Sequence, residues 1–561
     1  MTSYCHIQGH LALYQLNHNH IQNSTMNQIK SFLLVLMLLL SANSIRADIY
    51  EDTKAFGRTL MALDALYVDT VNTAQLTETA IKAVLKELDP HSTYLTQDEV
   101  NAMNENLGGN FEGIGVRYQM ENDTLLVINT VTGGPSEKVG VMAGDRIIMV
   151  GDSTIAGMKY GTREIQRRLR GAKGSHVNLG IMRQGEKDLL WFDVERDKIP
   201  VYSIDASYMA APKIGYIKVS RFAQTTAEEM VKAMRELTRQ GMEDLIIDLQ
   251  GNGGGYLNAA AEMAELFLPA GQLVVYTEGR SEVRREYRTR HSSSVFNGRV
   301  VVLMDEQSAS ASEIFAGCMQ DLDRGLVVGR RSFGKGLVQR PIDLPNGGMI
   351  RLTIAHYYTP SGRCIQKPYI KGDKKSYDED ILNRLNSGEL VSADSIHFSD
   401  SLRYTTKAGR IVYGGGAIMP DLFVPLDTTQ MTRAHRAIIA KGTLNRFIIN
   451  HFKANQAQLK KRYPTLDDFL QSDYQVTDQM VHQVIEQARK DSVQSDSLET
   501  LLTNDVFRMQ IKAYLANDLY ESGAYSRVMN QIVSSYREAL ELITDEERYL
   551  RLLSTKPTTN D

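Results

Sequence analysis

The sequence predicts an α/β core, interrupted by a mainly-β module and flanked on both sides by helices. Three patterns lead to this. Between residues 213 and 425, short apolar runs alternate with helical periodicities. Residues 107–197 hold β-like runs separated by glycine turns. Residues 48–106 and 426–561 place apolar side chains at helical spacing. A chain of 561 residues exceeds what one core usually holds, and 42% hydrophobic with 23% charged residues is ordinary for folded domains. Lys+Arg 63 against Asp+Glu 67 gives a net charge of -4, so the chain lacks the basic footprint of a nucleic-acid binder. Cys5, Cys318 and Cys364 form neither a disulfide framework nor a metal-ligand spacing, and no metal or cofactor is expected.

The chain opens with a leader, residues 1–47. MNQIKSFLLVLMLLLSANSIRA (26–47) places Lys30 before a short apolar run and small residues after it, the pattern of a secretory signal. The polar stretch before it suits no signal, so Met26 is read as the start. The mature protein is expected to be exported to the periplasm or cell envelope, staying membrane-associated if the signal is uncleaved. Residues 48–106 form an N-terminal helical region, with Phe56, Leu60, Leu63, Leu66 and Tyr67 marking one helix and Ile81, Val84, Leu85 and Leu88 a second. Pro90 stops the second helix. His91, beside it, is read as a structural residue.

Residues 107–197 bring the β-like runs. Phe111, Glu112, Gly113, Ile114, Gly115 and Val116 resemble the carboxylate-binding loop of a PDZ domain, and the later Gly134-Pro135 and Ala143 to Ile147 resemble the same family. Glycine-turned N–H groups make an anion nest, and a neighbouring strand edge accepts an extended peptide. Gly113, Ile114, Gly115 and Val116 are therefore the candidate tail-binding residues. A helix over 162–169, with Ile165 and Leu169 on one face, completes the groove.

Residues 198–425 are the core. Strands are expected at 214–219, 245–249, 300–304 and 326–328, and helices at 226–239 and 257–266. The polar stretch 371–410 is expected as a surface insertion. The region 426–561 is helical and shows no chemistry; buttressing the core, pairing subunits in a homo-oligomer and meeting an adaptor are the roles open to it.

The chemistry is read from residues 305–340. Ser308, Ser310 and Ser312 alternate before a helix. Ser312 with Glu313 behind it reads as the helix cap, which leaves Ser310 as nucleophile. Lys335, between Gly334 and Gly336, follows 25 positions later with no histidine between. A neutral amine can take the serine proton if burial lowers its pKa from about 10.4 towards 7. In an extended run Lys335, Leu337 and Gln339 share a face, so the Gln339 amide can orient the amine. The Ala311 N–H and the glycine loop at Gly254 and Gly255 are the candidate oxyanion donors. A phosphate-loop reading of residues 329–336 fails because Gly336 stands where Ser or Thr would hold magnesium, and a Ser–His–Asp triad through His356 or His91 lacks a spaced acidic partner.

LDPHSTYL (88–95), the GIGV loop, DLQGNGGG (248–255), SASASEIFAG (308–317), GRRSFGKGLVQ (329–339), YYTPSGRCIQ (357–366) and AIMPD (417–421) stand in the order of the carboxyl-terminal processing peptidases, which the chain resembles. The resemblance implies a crotonase-like (ClpP/crotonase) protease core with an inserted PDZ domain. It also implies a Ser–Lys(–Gln) mechanism on Ser310, Lys335 and Gln339, and polypeptide substrates with accessible C-termini. Where the family usually has DLRxNPGG this chain has DLQGNGGG. A non-proteolytic PDZ scaffold with an unused dyad is the alternative, and a crotonase-type acyl-thioester enzyme is disfavoured by the signal and PDZ stretches.

Overall fold

The computed structural model describes residues 49–121, 123–290, 296–428, 431–494, 497–520 and 523–554. The stretch expected to be a signal, residues 26–47, lies outside them. Among the described residues no helix is long and apolar enough to cross a membrane. The chain divides into two compact units, Met1–Val84 and Leu85–Asp561. The first holds a helix over residues 49–66 and most of the helix Thr73–Lys86, the two that the apolar spacing predicts.

In the second unit the core is a six-stranded sheet in the order Ile204–Ala211, Ile214–Val219, Asp244–Asp248, Val300–Met304, Leu326–Gly329, Leu422–Phe423. The first pair is antiparallel and the others are parallel. Every residue of Asp244–Asp248 and Val300–Met304 is buried, which explains their unbroken apolar character: a parallel strand covered on both faces has no solvent side to make polar. Met230, Met234 and Leu237 of the helix Thr226–Arg239, Met263 of Leu257–Ala264 and Phe315 of Ala311–Asp321 share one cluster with Ile217, Ile247 and Val302. A separate cluster joins Tyr536, Leu542 and Ile543 of the helix Ser534–Thr544, and Tyr549 of Glu546–Ser554, to Tyr216, Ile246, Val301 and Val328.

The region expected as one C-terminal helical block therefore divides. Its last two helices complete the core, while helices from Arg433–Ala440 to Ala524–Met529 enclose a separate cluster around Phe447, Val481, Phe507 and Leu515. The helical module touches the β module through Ile449, which packs with Leu126 and Ile128, and through the ion pairs Lys453–Glu121 at 2.9 Å and Arg117–Asp518.

The inserted module is a sheet in the order Val116–Glu121, Thr124–Thr130, Arg146–Val150, His176–Met182, Leu190–Glu195, with the helix Thr162–Leu169 beside it. Leu125, Ile147, Ile165, Leu169 and Leu179 form its core. The chain enters and leaves along one antiparallel pair, Asn110–Gly113 with Asp197–Pro200.

A second sheet of the core is antiparallel. Its longest strand, Met349–Tyr358, pairs with Leu337–Asp343, Leu273–Glu278 and Thr93–Leu95. The stretch expected as a surface insertion is not one throughout. It holds the helices Lys374–Asp378 and Asp380–Asn386, and Tyr377, Arg384 and Glu389 are buried. Arg384 donates to the carbonyls of Arg331 (2.7 Å) and Ser332 (2.9 Å), and Tyr377 packs edge-on against Phe333. Its polar composition serves buried ion pairs, Glu389 accepting from both Arg331 and Arg384 at 2.6 Å, and these bind it to the loop ahead of Lys335.

Candidate active site

The strand Val300–Met304 ends in a turn that the Asp305 carboxylate closes by accepting the N–H of Ser308 at 3.1 Å. Ser308 and Ser312 then spend their hydroxyls on backbone: Ser308 Oγ donates to the Leu249 carbonyl at 2.8 Å and Ser312 Oγ to that of Asn252 at 2.9 Å. Ser312 is thus inside the helix Ala311–Asp321, and the N-cap position expected for it is held by Ser310. The two roles fall to one residue because the helix begins two positions earlier than the cap chemistry of Ser312 suggests. Ser310 has φ 57 and ψ -113, a conformation that costs a non-glycine residue about 1–3 kcal/mol and persists only where neighbours hold it. They do. Glu313 Oε2 accepts the Ser310 N–H at 2.8 Å and the Asn252 carbonyl accepts that of Ala309 at 3.0 Å, while Tyr357 Oη donates to the Lys335 carbonyl and sits 3.2 Å from that of Ser310.

Lys335 approaches from the other sheet. Gly334 (φ 88) turns the chain, and the N–H groups of Gly334 and Lys335 donate to Glu313 at 2.7 and 2.9 Å. Ser332 Oγ adds a bond to the same carboxyl at 2.5 Å. Glu313 is fully buried, and although these four donors favour its ionised form, burial pushes its carboxyl above the ordinary value. Its Oε2 receives both Ser310 and Lys335, so the backbones of the two residues meet at one oxygen atom. Sequence reasoning gave Glu313 only a helix-dipole role; nothing local in SEIFAG points to a loop 22 residues away.

Ser310, Lys335 and Gln339 line one cavity of about 590 Å³, together with Gly254, Gly255, Arg351 and Tyr357. Burial, with Arg351 adding, pushes the Lys335 amine down from 10.5 to about 8, while Glu313 and Asp89 pull the other way. Among the described residues the amine makes no hydrogen bond and no ion pair, and it is not hydrogen-bonded to the Ser310 hydroxyl. The pairing of Leu337–Asp343 with Met349–Tyr358 shifts register between Val338 and Gln339, where Ile354 of the longer strand is left without a partner. Lys335, Leu337 and Gln339 all line the cavity.

The glycine loop is fixed by Asn252, whose Nδ2 donates to the Val219 carbonyl at 2.9 Å. Gly254 donates its N–H to Asn252 Oδ1 at 2.8 Å, which removes it from the candidate oxyanion donors. Its role is close approach: a Cβ there would stand 2.8 Å from Ser310 Cβ and 2.7 Å from the Ala309 carbonyl. The N–H groups of Gly255 and Ala311 bond to no described residue. Neither histidine joins the cavity. His91 Nε2 pairs with Tyr377 Oη at 2.8 Å, and burial, then Lys335, push its imidazole down to about 3. His356 lies opposite Leu337 and Glu278 within its sheet.

In the β module, the carbonyls of Ile114 and Gly115 are taken by Ser136 (3.0 Å) and Val131 (2.8 Å). Gly115 has φ 70, and the N–H groups of Ile114 and Gly115 bond to no described residue. Val116 opens the strand Val116–Glu121 at the sheet edge.

A serine and a partly buried lysine at one cavity, with a PDZ-like module inserted beside them, define a class of serine peptidase. Residues 213–376 match peptidase family S41, residues 113–194 match the PDZ domain family, and residues 434–521 match a family of unknown function, DUF8443. The chain is 35% identical over 309 residues to the carboxy-terminal processing protease CtpB of Bacillus subtilis, covering 54% of this chain and 64% of that one. It is 30% identical over 368 residues to CtpA of the same organism, covering 62% and 77%. To the carboxy-terminal-processing protease of Bartonella bacilliformis it is 32% identical over 344 residues, covering 60% and 78%. This chain belongs to the carboxy-terminal processing proteases of peptidase family S41.

Proposed function

We propose that the protein is an exported serine endopeptidase that holds polypeptides by their C-terminal tails and cleaves them through an acyl-enzyme on Ser310. The observation that carries this is the joining of Ser310 and Lys335 at the Glu313 carboxylate, with the Lys335 amine unpaired in the cavity that Ser310 lines. As Ser310 Oγ attacks a peptide carbonyl carbon, the neutral Lys335 amine takes the hydroxyl proton. The Ala311 and Gly255 N–H groups are the donors free to meet the oxyanion. The ammonium then returns its proton to the leaving nitrogen as the C–N bond breaks, leaving an ester on Ser310. Lys335 next deprotonates water, which hydrolyses the ester, releases the carboxyl product and restores the hydroxyl.

The loop Gly113 to Val116 suits the substrate's terminal carboxylate, whose charge the inward N–H groups of Ile114 and Gly115 favour, while the edge strand Val116–Glu121 can take the tail as an added strand. The parallel strands with helices on both faces fit a crotonase-like core. Digestion of casein by the wild type, Ser310→Ala and Lys335→Arg tests the reading. Cleavage by the wild type alone is expected, since a guanidinium holds its proton at neutral pH. Equal inertness of all three towards casein and tailed substrates would favour the PDZ scaffold. Full turnover by Lys335→Arg would remove the lysine base.

A further inference from the structure

LDPHSTYL contributes more than its helix-stopping proline. The strand Thr93–Leu95 pairs with Met349–Tyr358, placing Thr93 opposite Arg351, and Met349–Tyr358 also pairs with the strand that bears Gln339. In the turn ahead of Thr93 the buried Asp89 accepts the N–H groups of His91 at 2.8 Å and Ser92 at 2.9 Å on Oδ1. Thr353 Oγ1 donates to that same oxygen at 3.0 Å, and receives Gln339 Nε2 at 3.3 Å. We propose that Asp89 is a positioning residue for the Lys335 amine, acting through Thr353 on the Gln339 side chain; this rests on the Ser310–Lys335 reading above.

The direction of each bond follows from donor chemistry. An ionised carboxylate only accepts, so the Thr353 hydroxyl must give its hydrogen to Asp89 and keep a lone pair for the Gln339 NH2 group. The Leu337 carbonyl, also an acceptor, takes the second amide hydrogen at 3.1 Å. With both donors spent, Gln339 Oε1 is the amide atom left to accept an N–H from Lys335, and the two residues share the cavity. Were the Thr353 hydroxyl absent, the amide could turn its NH2 towards the amine, and a donor there would compete with the lone pair that must take the serine proton.

The charges around the amine make the idea measurable. Burial raises the Asp89 carboxyl, but the bonds from Ser92, His91 and Thr353 outweigh it and hold the group below its ordinary value, so it is ionised at neutral pH. Facing Lys335 are Asp89, Glu313 from the helix Ala311–Asp321, Arg351 from the long strand, and an uncharged His91. The anions favour the ammonium, and neutralising one lets the amine form at lower pH.

The experiment measures pH profiles of fluorescent-casein hydrolysis per Ser310 titrated with a fluorophosphonate, for the full chain carrying Asp89→Asn, Thr353→Val or Thr353→Ser. Asparagine keeps an Oδ1 acceptor and removes the charge; valine keeps the shape of threonine and removes the hydroxyl while leaving the Asp89 turn intact. Asp89→Asn is expected to move the acidic limb of kcat/KM to lower pH. Thr353→Val is expected to lower kcat about tenfold at unchanged KM, a loss of about 1.4 kcal/mol in the transition state, and Thr353→Ser to restore it. Wild-type kcat and an unmoved acidic limb in both Asp89→Asn and Thr353→Val, with only the unfolding midpoint lowered, would overturn the proposal. Turnover by Ser310→Ala is a separate result and would instead defeat the reading on which it rests.

Discussion

Replacing Lys335 by methionine should stabilise the protein while abolishing turnover. The two side chains have similar length, and the thioether brings no charge into the cavity. Burial takes the Lys335 amine from 10.5 to about 8, which at 1.36 kcal/mol per pH unit amounts to about 3 kcal/mol. Below about pH 8 the amine is protonated folded or unfolded, and the full cost of the buried ammonium is present. Between about 8 and 10.5 the unfolded chain binds a proton that the folded one has released, so wild-type stability rises with pH. Lys335→Met should therefore exceed the wild type by about 3 kcal/mol at neutral pH, with the gap closing as pH passes 10.5. Urea unfolding in a Ser310→Ala background, which excludes self-digestion, measures it. Far-UV circular dichroism is the suitable signal, because the only tryptophan, Trp191, sits in the PDZ module rather than in the core. Equal midpoints at pH 7, or a gap independent of pH, would refute the claim that the amine is held at the expense of stability.

Glu313→Gln replaces one of two acceptor oxygens with a donor facing donors, and should lower kcat about 100-fold and stability by about 2–3 kcal/mol; steady-state kinetics and urea unfolding check both, and wild-type kcat would contradict the clamp. Gly254→Ala sets a Cβ 2.8 Å from Ser310 Cβ at φ +101 and should cut kcat more than about tenfold, whereas unaltered kcat would show that the loop yields. Ile449→Asp puts a charge against Leu126 and Ile128 and should speed tryptic cleavage at the borders of the PDZ module, with unchanged protection counting against a tight contact.

What could be read in the sequence is what local chemistry fixes. The run Val300–Met304 is apolar because it is covered on both faces, and Thr226–Arg239 repeats its apolar positions because one face meets the sheet. Lys335 stood out as a lone lysine between two glycines, and it lines the cavity that Ser310 lines. What could not be read depends on partners far along the chain. Asn252 withdraws Gly254 from the oxyanion donors by an amide geometry no motif spells out. Ser312 looks like a cap until Asn252, 60 residues earlier, accepts its hydroxyl. Tyr536 and Tyr549 read as part of a generic helical tail, yet they close the core against Tyr216 and Val301, and Arg384 looks solvated in a polar stretch until Glu389 pairs with it inside.

The most direct test of the account is the pH dependence of covalent labelling at Ser310. A fluorophosphonate is mixed with the full chain between pH 5 and 10, and the adduct is located and timed by peptide mass spectrometry. The account places the label on Ser310 alone, with a rate that climbs through about pH 8 as the Lys335 amine loses its proton and collapses in Lys335→Ala. Labelling of Ser308 or Ser312, or a Ser310 rate indifferent to the loss of Lys335, would contradict it.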